Sequence, residues 1–162
     1  MKLLQFRKNN KVCLGILTET GILDVERAAL LTGQKFPTTM EEMIESGEKG
    51  IKVLQNLLDK TGTGNELETV KLSPENIQYA PCVSTPEKIL CIGLNYVDHA
   101  KETKGEIPAT PILFSKFANA LAANQEVIQL PADATQFDYE AELVVVIGKT
   151  ARNVSKEEAL SY

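Results

Sequence analysis

The segment that most constrains the fold is Asp138–Gly148, DYEAELVVVIG, in which alternating carboxylates lead into a run of β-branched residues. Alternate residues of a strand point to the same face, so Glu140 and Glu142 would share one face with their Cα atoms about 6.6–7 Å apart. The next residues on this face are Val144 and Val146. An apolar continuation of this kind is typical of a face partly buried in a sheet. We therefore predict a strand over Tyr139–Ile147, the strongest strand signal in the chain.

The carboxylate pair at the start of this strand allows two interpretations. In one, Glu140 and Glu142 hold a cation, because two partly buried like charges at this spacing need a neutralising partner. Oxygen-only ligands suit a hard ion, with Mg²⁺ favoured and Mn²⁺ or Ca²⁺ as alternatives. In the other, the pair lies at a solvent-exposed strand end and is neutralised by lysines. The pattern alone leaves both open.

Composition excludes several classes of function. The chain has 162 residues, with 22 acidic against 17 basic side chains, a net charge of −5 and no basic tract, which argues against nucleic-acid and anionic-membrane partners. No apolar run approaches the roughly 18–20 residues of a membrane span, and Met1–Arg7 is too short for a secretion signal. We therefore expect a cytoplasmic protein. The single histidine rules out three-His zinc sites and Cys2His2 fingers on this chain.

The N-terminal part predicts a three-stranded meander followed by helix. Short β-prone runs at Lys2–Arg7, Val12–Leu17 and Ile22–Val25 are separated by polar turn segments. Two helical stretches follow: Thr38 and Glu41 have capping-box spacing, and an apolar stripe continues at helical spacing to a glycine-rich loop at residues 61–65. The stripe consists of Ile51, Leu54, Leu57 and Leu58.

The remainder of the chain has a different character. Lys88–Gly93 and Ile112–Phe114 predict short buried strands, and Ser155 with Glu158 repeats the capping-box pattern ahead of a helix. We place a small N-terminal domain at residues 1–75 and a second domain at residues 76–162. The second domain has few strands for a closed sheet, and its last helix is too short to be stable alone. We therefore expect the sequence to be the front part of a longer protein.

Two further segments could carry chemistry. His99 and Glu102 are three residues apart in a helix-prone stretch, which makes them neighbours on one helical face. A carboxylate beside an imidazole orients the ring for proton transfer, although an exposed histidine with an incidental acidic neighbour fits the spacing too. Lys116 directly follows a predicted strand, where it could meet an anionic substrate or remain a solvated surface lysine.

Together these segments resemble the fumarylacetoacetate hydrolase family, with order and spacing that fit over residues 86–162. Residues 1–75 resemble the smaller N-terminal domain of many bacterial members. The resemblance is carried by Lys88–Tyr96 (KILCIGLNY) with the His99-x-x-Glu102 pair, Pro111–Lys116 (PILFSK), Leu130-Pro131, Asp138–Leu143 (DYEAEL), Val145–Lys149 (VVIGK) and Ala151–Ser155 (ARNVS).

The resemblance implies an α+β fold, mostly β, in which a small N-terminal β/α domain precedes the front part of a mixed β-roll. It implies a homodimer, a divalent ion (commonly Mg²⁺) on Glu140 and Glu142, and a third ligand beyond Tyr162. His99 and Glu102 would form the catalytic dyad, and Lys116 would bind a substrate carboxylate.

The implied reactions proceed on 2-keto or 2-hydroxy-dienoic dicarboxylic acids through a metal-bound enolate. They include isomerisation, decarboxylation and C–C bond hydrolysis in the catabolism of aromatic compounds. The alternative is a catalytically incomplete fragment that acts only as a dimerisation or binding module.

Overall fold

An antiparallel meander begins the chain, as the turn pattern predicts. Its strands are β1 (Lys2–Lys8), β2 (Lys11–Thr18) and β3 (Gly21–Asp24). Asn9 and Asn10 join β1 to β2, and both have positive φ, at 49° and 60°. A two-residue loop with this geometry matches the twist of the flanking strands, and asparagine tolerates it better than most residues. The predicted meander is therefore confirmed.

The computed structural model describes residues 1–61 and 65–162, so the predicted loop lies partly outside the described residues, at 62–64. Two short edge strands, β4 (Lys71–Leu72) and β5 (Gln78–Ala80), complete an antiparallel sheet of order β4-β3-β2-β1-β5. The chain divides into one compact unit of Met1–Cys82 with Ala123–Tyr162 and a second unit of Val83–Ala122. The predicted boundary between residues 1–75 and 76–162 stays a prediction.

The core of the first unit is formed by apolar side chains from the central strands and the adjoining helices. These side chains are almost completely inaccessible to solvent, and their burial is the main stabilising contribution to this unit. Met40 and Met43 belong to this core. The largest fully buried apolar side chains are Phe6, Leu14, Ile16, Ile22, Leu23, Val25, Leu54 and Leu57.

The first helix, α1 (Val25–Thr32), corrects the prediction that Val25 ends a strand. Asp24 is its N-cap, with a side-chain oxygen that accepts a hydrogen bond from the Arg27 N–H at 3.0 Å. The helix ends at Gly33, whose φ of 64° favours glycine. Asp24 therefore ends β3 and begins α1, and its buried carboxylate also pairs with Lys8.

The second helix, α2 (Met40–Asp59), confirms the two predicted helical stretches, because Gly47 interrupts it with non-helical dihedral angles. Its cap lies one residue later than predicted. Thr39 accepts from the Glu42 N–H at 3.1 Å, and the Glu42 carboxylate accepts from the Thr38 N–H at 2.7 Å. Ile51, which the sequence pattern includes in the apolar stripe, is 51% exposed and so lies outside the buried face of α2. A short helix, α3 (Asn65–Glu68), follows.

The second unit contains β6 (Ile89–Gly93), α4 (Val97–Glu102) and β7 (Ile112–Lys116). The two strands pair antiparallel, with Ile89 opposite Lys116 and Gly93 opposite Ile112. Both strands were predicted, but the prediction that they are buried was wrong. No residue of β6 or β7 is buried, because a two-stranded ribbon has no layer of its own to cover either face.

The predicted strand at Tyr139–Ile147 does not form in the described structure, where this segment has no regular secondary structure. Leu143 and Val144 are 81% and 79% exposed. A strand needs a neighbouring strand to satisfy its backbone hydrogen bonds, and sequence pattern cannot supply that neighbour.

The predicted helix after Ser155 is also corrected. The Glu158 N–H donates to Ser155 Oγ at 3.3 Å, as in a helix cap, but only a 3₁₀ turn at Ala159–Ser161 follows. Among helices within residues 1–61 and 65–162, none combines the length and apolar character that a membrane span requires.

Candidate functional site

The predicted dyad lies on α4, the helix that follows β6 in the chain. His99 and Glu102 both belong to this helix, and both are exposed. Their three-residue spacing therefore places them on neighbouring positions of one helical face, as the sequence predicts. The helix is six residues long and begins after Tyr96, which forms no side-chain cap.

The C-terminal end of α4 is closed by a set of backbone and hydroxyl hydrogen bonds. The Thr103 N–H donates to the His99 carbonyl oxygen at 3.1 Å, and Thr103 Oγ1 donates to the same oxygen at 3.0 Å. The Gly105 N–H donates to the Ala100 carbonyl oxygen at 2.8 Å. Ala100 is fully buried, and it is the one buried residue of this helix. These bonds satisfy carbonyl groups that a helix end otherwise leaves without partners.

A second charged pair lies beside the dyad positions on α4. Lys101 Nζ is 3.3 Å from Asp98 Oδ1, and the two side chains are 71% and 97% exposed. A pair this exposed contributes little to stability, because water screens the attraction. The pair therefore adds local charge near His99 without fixing the helix.

Lys116 lies at the opposite end of the β6–β7 ribbon from the start of α4. It ends β7 and pairs with Ile89, whereas α4 follows Gly93 at the other end of β6. Four strand residues span about 13 Å at 3.3 Å per residue. Lys116 is exposed, so it can meet an anionic group, but the ribbon register does not place it at the base of α4.

Glu140 and Glu142 lie on exposed, irregular backbone in the first unit. The strand that would align their side chains is not formed, so the predicted shared face is not present. Across the described part of the chain, no three His, Cys, Asp or Glu side chains lie close enough together to hold a metal ion. The carboxylate chemistry fits a hard divalent cation, and two such donors supply part of the six or more oxygens that these ions take.

Three described side chains, Glu42, Glu75 and Cys13, have clearly shifted pKa values. A hydrogen bond from the Thr38 N–H lowers the pKa of Glu42 at the start of α2. Burial opposes it to a lesser extent, and weaker hydrogen bonds from the Thr38 hydroxyl and the Thr39 N–H add to the lowering. The Ser73 hydroxyl lowers the pKa of exposed Glu75. Burial, assisted by nearby carboxylates, raises the pKa of the Cys13 thiol. These shifts report caps and core packing, and none marks an additional catalytic group.

The sequence pattern did not reveal an open cleft of about 700 Å³ beside β3 and β4. Lys71 Nζ lies on this cleft, 2.6 Å from Glu68 Oε1 and 2.7 Å from Thr20 Oγ1. These groups pair with one another, and the cleft is formed by side chains from distant parts of the sequence. Only the folded sheet brings them together, so no local pattern could have found them.

Comparison with known proteins covers both the sequence and the fold. The model of the fumarylacetoacetate (FAA) hydrolase C-terminal family matches residues 88–162. Oxaloacetate tautomerase fahd2, mitochondrial, from Xenopus laevis is 32% identical over 166 residues, covering 100% of this chain and 49% of that protein. The fumarylacetoacetate hydrolase domain-containing protein 2 homolog from Dictyostelium discoideum is 39% identical over 151 residues, covering 92% and 46%.

A solved structure has the same fold. The crystal structure of a protein assigned as HpcE from Mycobacterium smegmatis aligns with a TM-score of 0.53 and 21% identity, over 82% of this chain and 41% of that one. The mixed, mostly β architecture predicted from the sequence is thus confirmed. The chain spans about half the length of the curated relatives it matches. The relatives from Xenopus laevis and Homo sapiens that are named oxaloacetate tautomerases are also named mitochondrial, and the cytoplasmic location of this chain stays a prediction.

Proposed function

We propose, from the premise that the chain belongs to the fumarylacetoacetate hydrolase family, that it carries the proton-transfer part of an enzyme for 2-keto dicarboxylic acids. The observation that supports this most is the position of His99 and Glu102. They lie on one exposed helical face within the segment that matches the family domain. A histidine oriented by a carboxylate is a suitable general base for removing a proton next to a carbonyl group.

The proposed reaction is tautomerisation or a related isomerisation. The imidazole of His99 takes a proton from the carbon beside the 2-keto group and delivers a proton to the keto oxygen, which gives the enol. Glu102 holds the imidazole ring during both transfers. Relatives from frog and human are named oxaloacetate tautomerases, and oxaloacetate is a 2-keto dicarboxylic acid. Decarboxylation and C–C hydrolysis pass through the same enolate, so they remain variants of this proposal.

We also propose that Glu140 and Glu142 provide two ligands of a divalent cation, with Mg²⁺ favoured over Mn²⁺ and Ca²⁺. A cation bound there would act as a Lewis acid on the 2-keto oxygen. This role requires the Tyr139–Ile147 segment to become an ordered strand, which would place both carboxylates on one face. Lys116 is proposed to bind the distal carboxylate of the substrate through its exposed ammonium group.

A second candidate function is a dimerisation or binding module. The observation that favours it is the exposed apolar surface of β6 and β7, where Leu90 and Leu113 are 65% and 64% exposed. A soluble monomer seldom leaves such a ribbon uncovered. A homodimer in which the ribbons are covered is compatible with either function.

The decisive experiment follows the disappearance of enol-oxaloacetate by ultraviolet absorbance, with and without Mg²⁺. It uses the 162-residue chain and any longer natural protein that contains this sequence. We expect His99→Ala to lower kcat by about 10²–10⁴-fold, the usual contribution of a general base. Glu140→Ala/Glu142→Ala should abolish the dependence on Mg²⁺ and the binding of Mg²⁺ in calorimetry.

The matched control for the carboxylate variant is Glu106→Ala/Glu157→Ala, which removes the same charge from two other exposed positions. It should leave Mg²⁺ binding unchanged. A His99→Ala protein as active as wild type would refute the proton-transfer role. Mg²⁺ affinity equal in all three proteins would refute the ligand assignment. A wild-type protein that has no activity and forms a dimer in a concentration-dependent way would favour the binding module.

A further inference from the structure

Leu94, between β6 and α4, has an unusual backbone conformation. Its φ is +51°, in the left-handed region that a leucine rarely adopts. Gly93, its neighbour, could take such an angle at no steric cost, yet it is not among the residues with positive φ. A strained leucine beside an unstrained glycine persists only where surrounding contacts hold it. The strain therefore points to a structural requirement at Leu94.

The side chain of Leu94 lies beside the turn that closes α4. It is half-buried, and its Cδ1 atom lies 3.8 Å from the position that a Cβ atom would take at Gly105. The Gly105 N–H closes the last turn of α4 through the Ala100 carbonyl oxygen. Leu94 thus adjoins the helix twice. Its backbone leads into the N-terminus of α4, and its side chain lies over the turn that ends it.

The helix needs this support because its own sequence provides little. Six residues are too few for a stable helix in water, and the N-terminus lacks a side-chain cap. Its ion pair between Asp98 and Lys101 is almost fully exposed. Packing from outside the helix must therefore keep it formed, and the Leu94 side chain, beside the closing turn, is placed to provide it.

We propose that Leu94 is the positioning residue for the face of α4 that carries His99 and Glu102. The left-handed backbone at Leu94 sets the direction of the helix, and the side chain keeps its last turn closed. This inference rests on the proposed function only for the consequence that catalysis depends on Leu94. The statement that Leu94 holds α4 can be tested without any activity.

The test compares Leu94→Ala, which removes the contact, with Leu94→Met, which keeps an apolar side chain of similar size. Leu90→Ala is the matched control, because Leu90 is an exposed leucine of the preceding strand. Amide hydrogen exchange is measured at Thr103 and Gly105. We expect Leu94→Ala to speed exchange at both by about 10-fold, as local opening becomes easier. Leu94→Met and Leu90→Ala should remain within about twofold of wild type.

Two further readouts separate positioning from general destabilisation. The amide of Leu14, which donates to the Thr38 carbonyl in the first unit, should exchange at the wild-type rate in every variant. Since His99 is the single histidine of the chain, its imidazole Cε1–H resonance can be assigned directly in the NMR spectrum. In Leu94→Ala it should move toward its position in the urea-unfolded chain, and Leu94→Met should restore it.

In the active protein, Leu94→Ala should lower kcat by about 10–100-fold and leave KM within about twofold, because misplacement affects the chemical step. Exchange and histidine resonance equal to wild type in Leu94→Ala would overturn the proposal. So would an unchanged kcat despite faster exchange. Full activity of His99→Ala would instead refute the proposed function, while the exchange result would still decide whether Leu94 holds α4.

Discussion

Two antiparallel strand pairs in this molecule are both rich in apolar residues but have very different surroundings. In the β1–β2 pair, Phe6, Leu14 and Ile16 are at most 1% exposed. In the β6–β7 pair, Leu90 and Leu113 are about two-thirds exposed, at 65% and 64%. The first pair lies inside a five-stranded sheet with helices packed on it, and the second is a two-stranded ribbon.

The difference shows that strand formation and strand burial have separate causes. Two strands pair through their backbone hydrogen bonds and facing side chains, whether or not another layer covers them. Burial requires further strands or a helix layer, which come from elsewhere in the sequence. The β6–β7 ribbon has the pairing without the covering layer. An added strand, domain or second subunit that covers this apolar surface would therefore contribute to stability by burying it.

The largest effect that distinguishes the two strand pairs is expected from leucine truncation. Leu14→Ala should lower the free energy of unfolding by about 3–5 kcal/mol, because it leaves a cavity in a close-packed core. Leu113→Ala should change it by less than about 0.5 kcal/mol, because its side chain is mostly solvated. Urea titrations followed by far-ultraviolet circular dichroism measure both values.

A cost for Leu113→Ala as large as that for Leu14→Ala would contradict the exposed ribbon. It would mean that β7 is covered in solution. Repeating the titration over a range of protein concentrations would then identify the cover. A concentration-dependent midpoint indicates a second copy of the chain, since association adds to stability by mass action.

A second contrast concerns two ion pairs. Lys8 Nζ lies 2.7 Å from Asp24 Oδ2, and the Asp24 side chain is fully buried, whereas Asp98 is 97% exposed. Asp24 also caps α1 through Arg27. We expect Asp24→Ala to cost about 2–4 kcal/mol of unfolding free energy, because the ion pair of a fully buried carboxylate and a helix cap are lost together. Asp98→Ala should cost less than about 0.5 kcal/mol.

The same urea titration checks this pair of variants. Asp24→Asn provides the control, because it keeps an N-cap acceptor and removes the charge. It should fall between wild type and Asp24→Ala. Equal costs for the Asp24 and Asp98 substitutions would show that burial of Asp24 does not govern the strength of its contacts.

The smallest expected effect concerns the helix N-termini, which a side chain caps in α2 but not in α4. Hydrogen bonds from Thr38 lower the pKa of Glu42 in the folded state, so its contribution to stability is present above about pH 4.3, the value typical of an unfolded glutamate. It is lost as the pH falls through the lower folded-state pKa. Glu42→Gln should cost about 0.5 kcal/mol at pH 7, since Glu42 is exposed to solvent.

Urea titrations at pH 7 and near pH 3 measure this difference, which should shrink toward zero at the acidic pH. Glu41→Gln, at the adjacent residue of α2, is the matched control for loss of one charge. A pH-independent difference between wild type and Glu42→Gln would rule out the charged cap as its cause.

The parts of the fold that sequence could predict depend on contacts within a few residues. The meander follows from alternating side chains and a two-asparagine turn, and α2 follows from its apolar spacing and threonine cap. The dyad positions on α4 follow from the same local reasoning. The α1 helix escaped prediction because Asp24 had to be recognised as a buried cap, and its partner Lys8 lies 16 residues away.

The candidate carboxylate site shows the limit of that reasoning. Glu140 and Glu142 stand in a strand-like pattern, but their segment is irregular in the described structure. The positive φ of Leu94 likewise has no signature in the sequence, since leucine ordinarily avoids that conformation. Both features depend on what packs beside the segment.

The sequence by itself determined the family resemblance, the N-terminal meander and the helical spacing of His99 and Glu102, because motif order, turn chemistry and helix periodicity are properties of neighbouring residues. Only the tertiary structure decided which apolar strands are buried, that Lys8 pairs with Asp24, and how Leu94 is placed relative to the two ends of α4. Strand burial and the pairing of Asp24 with Lys8 depend on segments that are separated in the chain, and the conformation of Leu94 depends on what packs around it. Each reflects the balance of burial, desolvation and chain entropy over a whole unit.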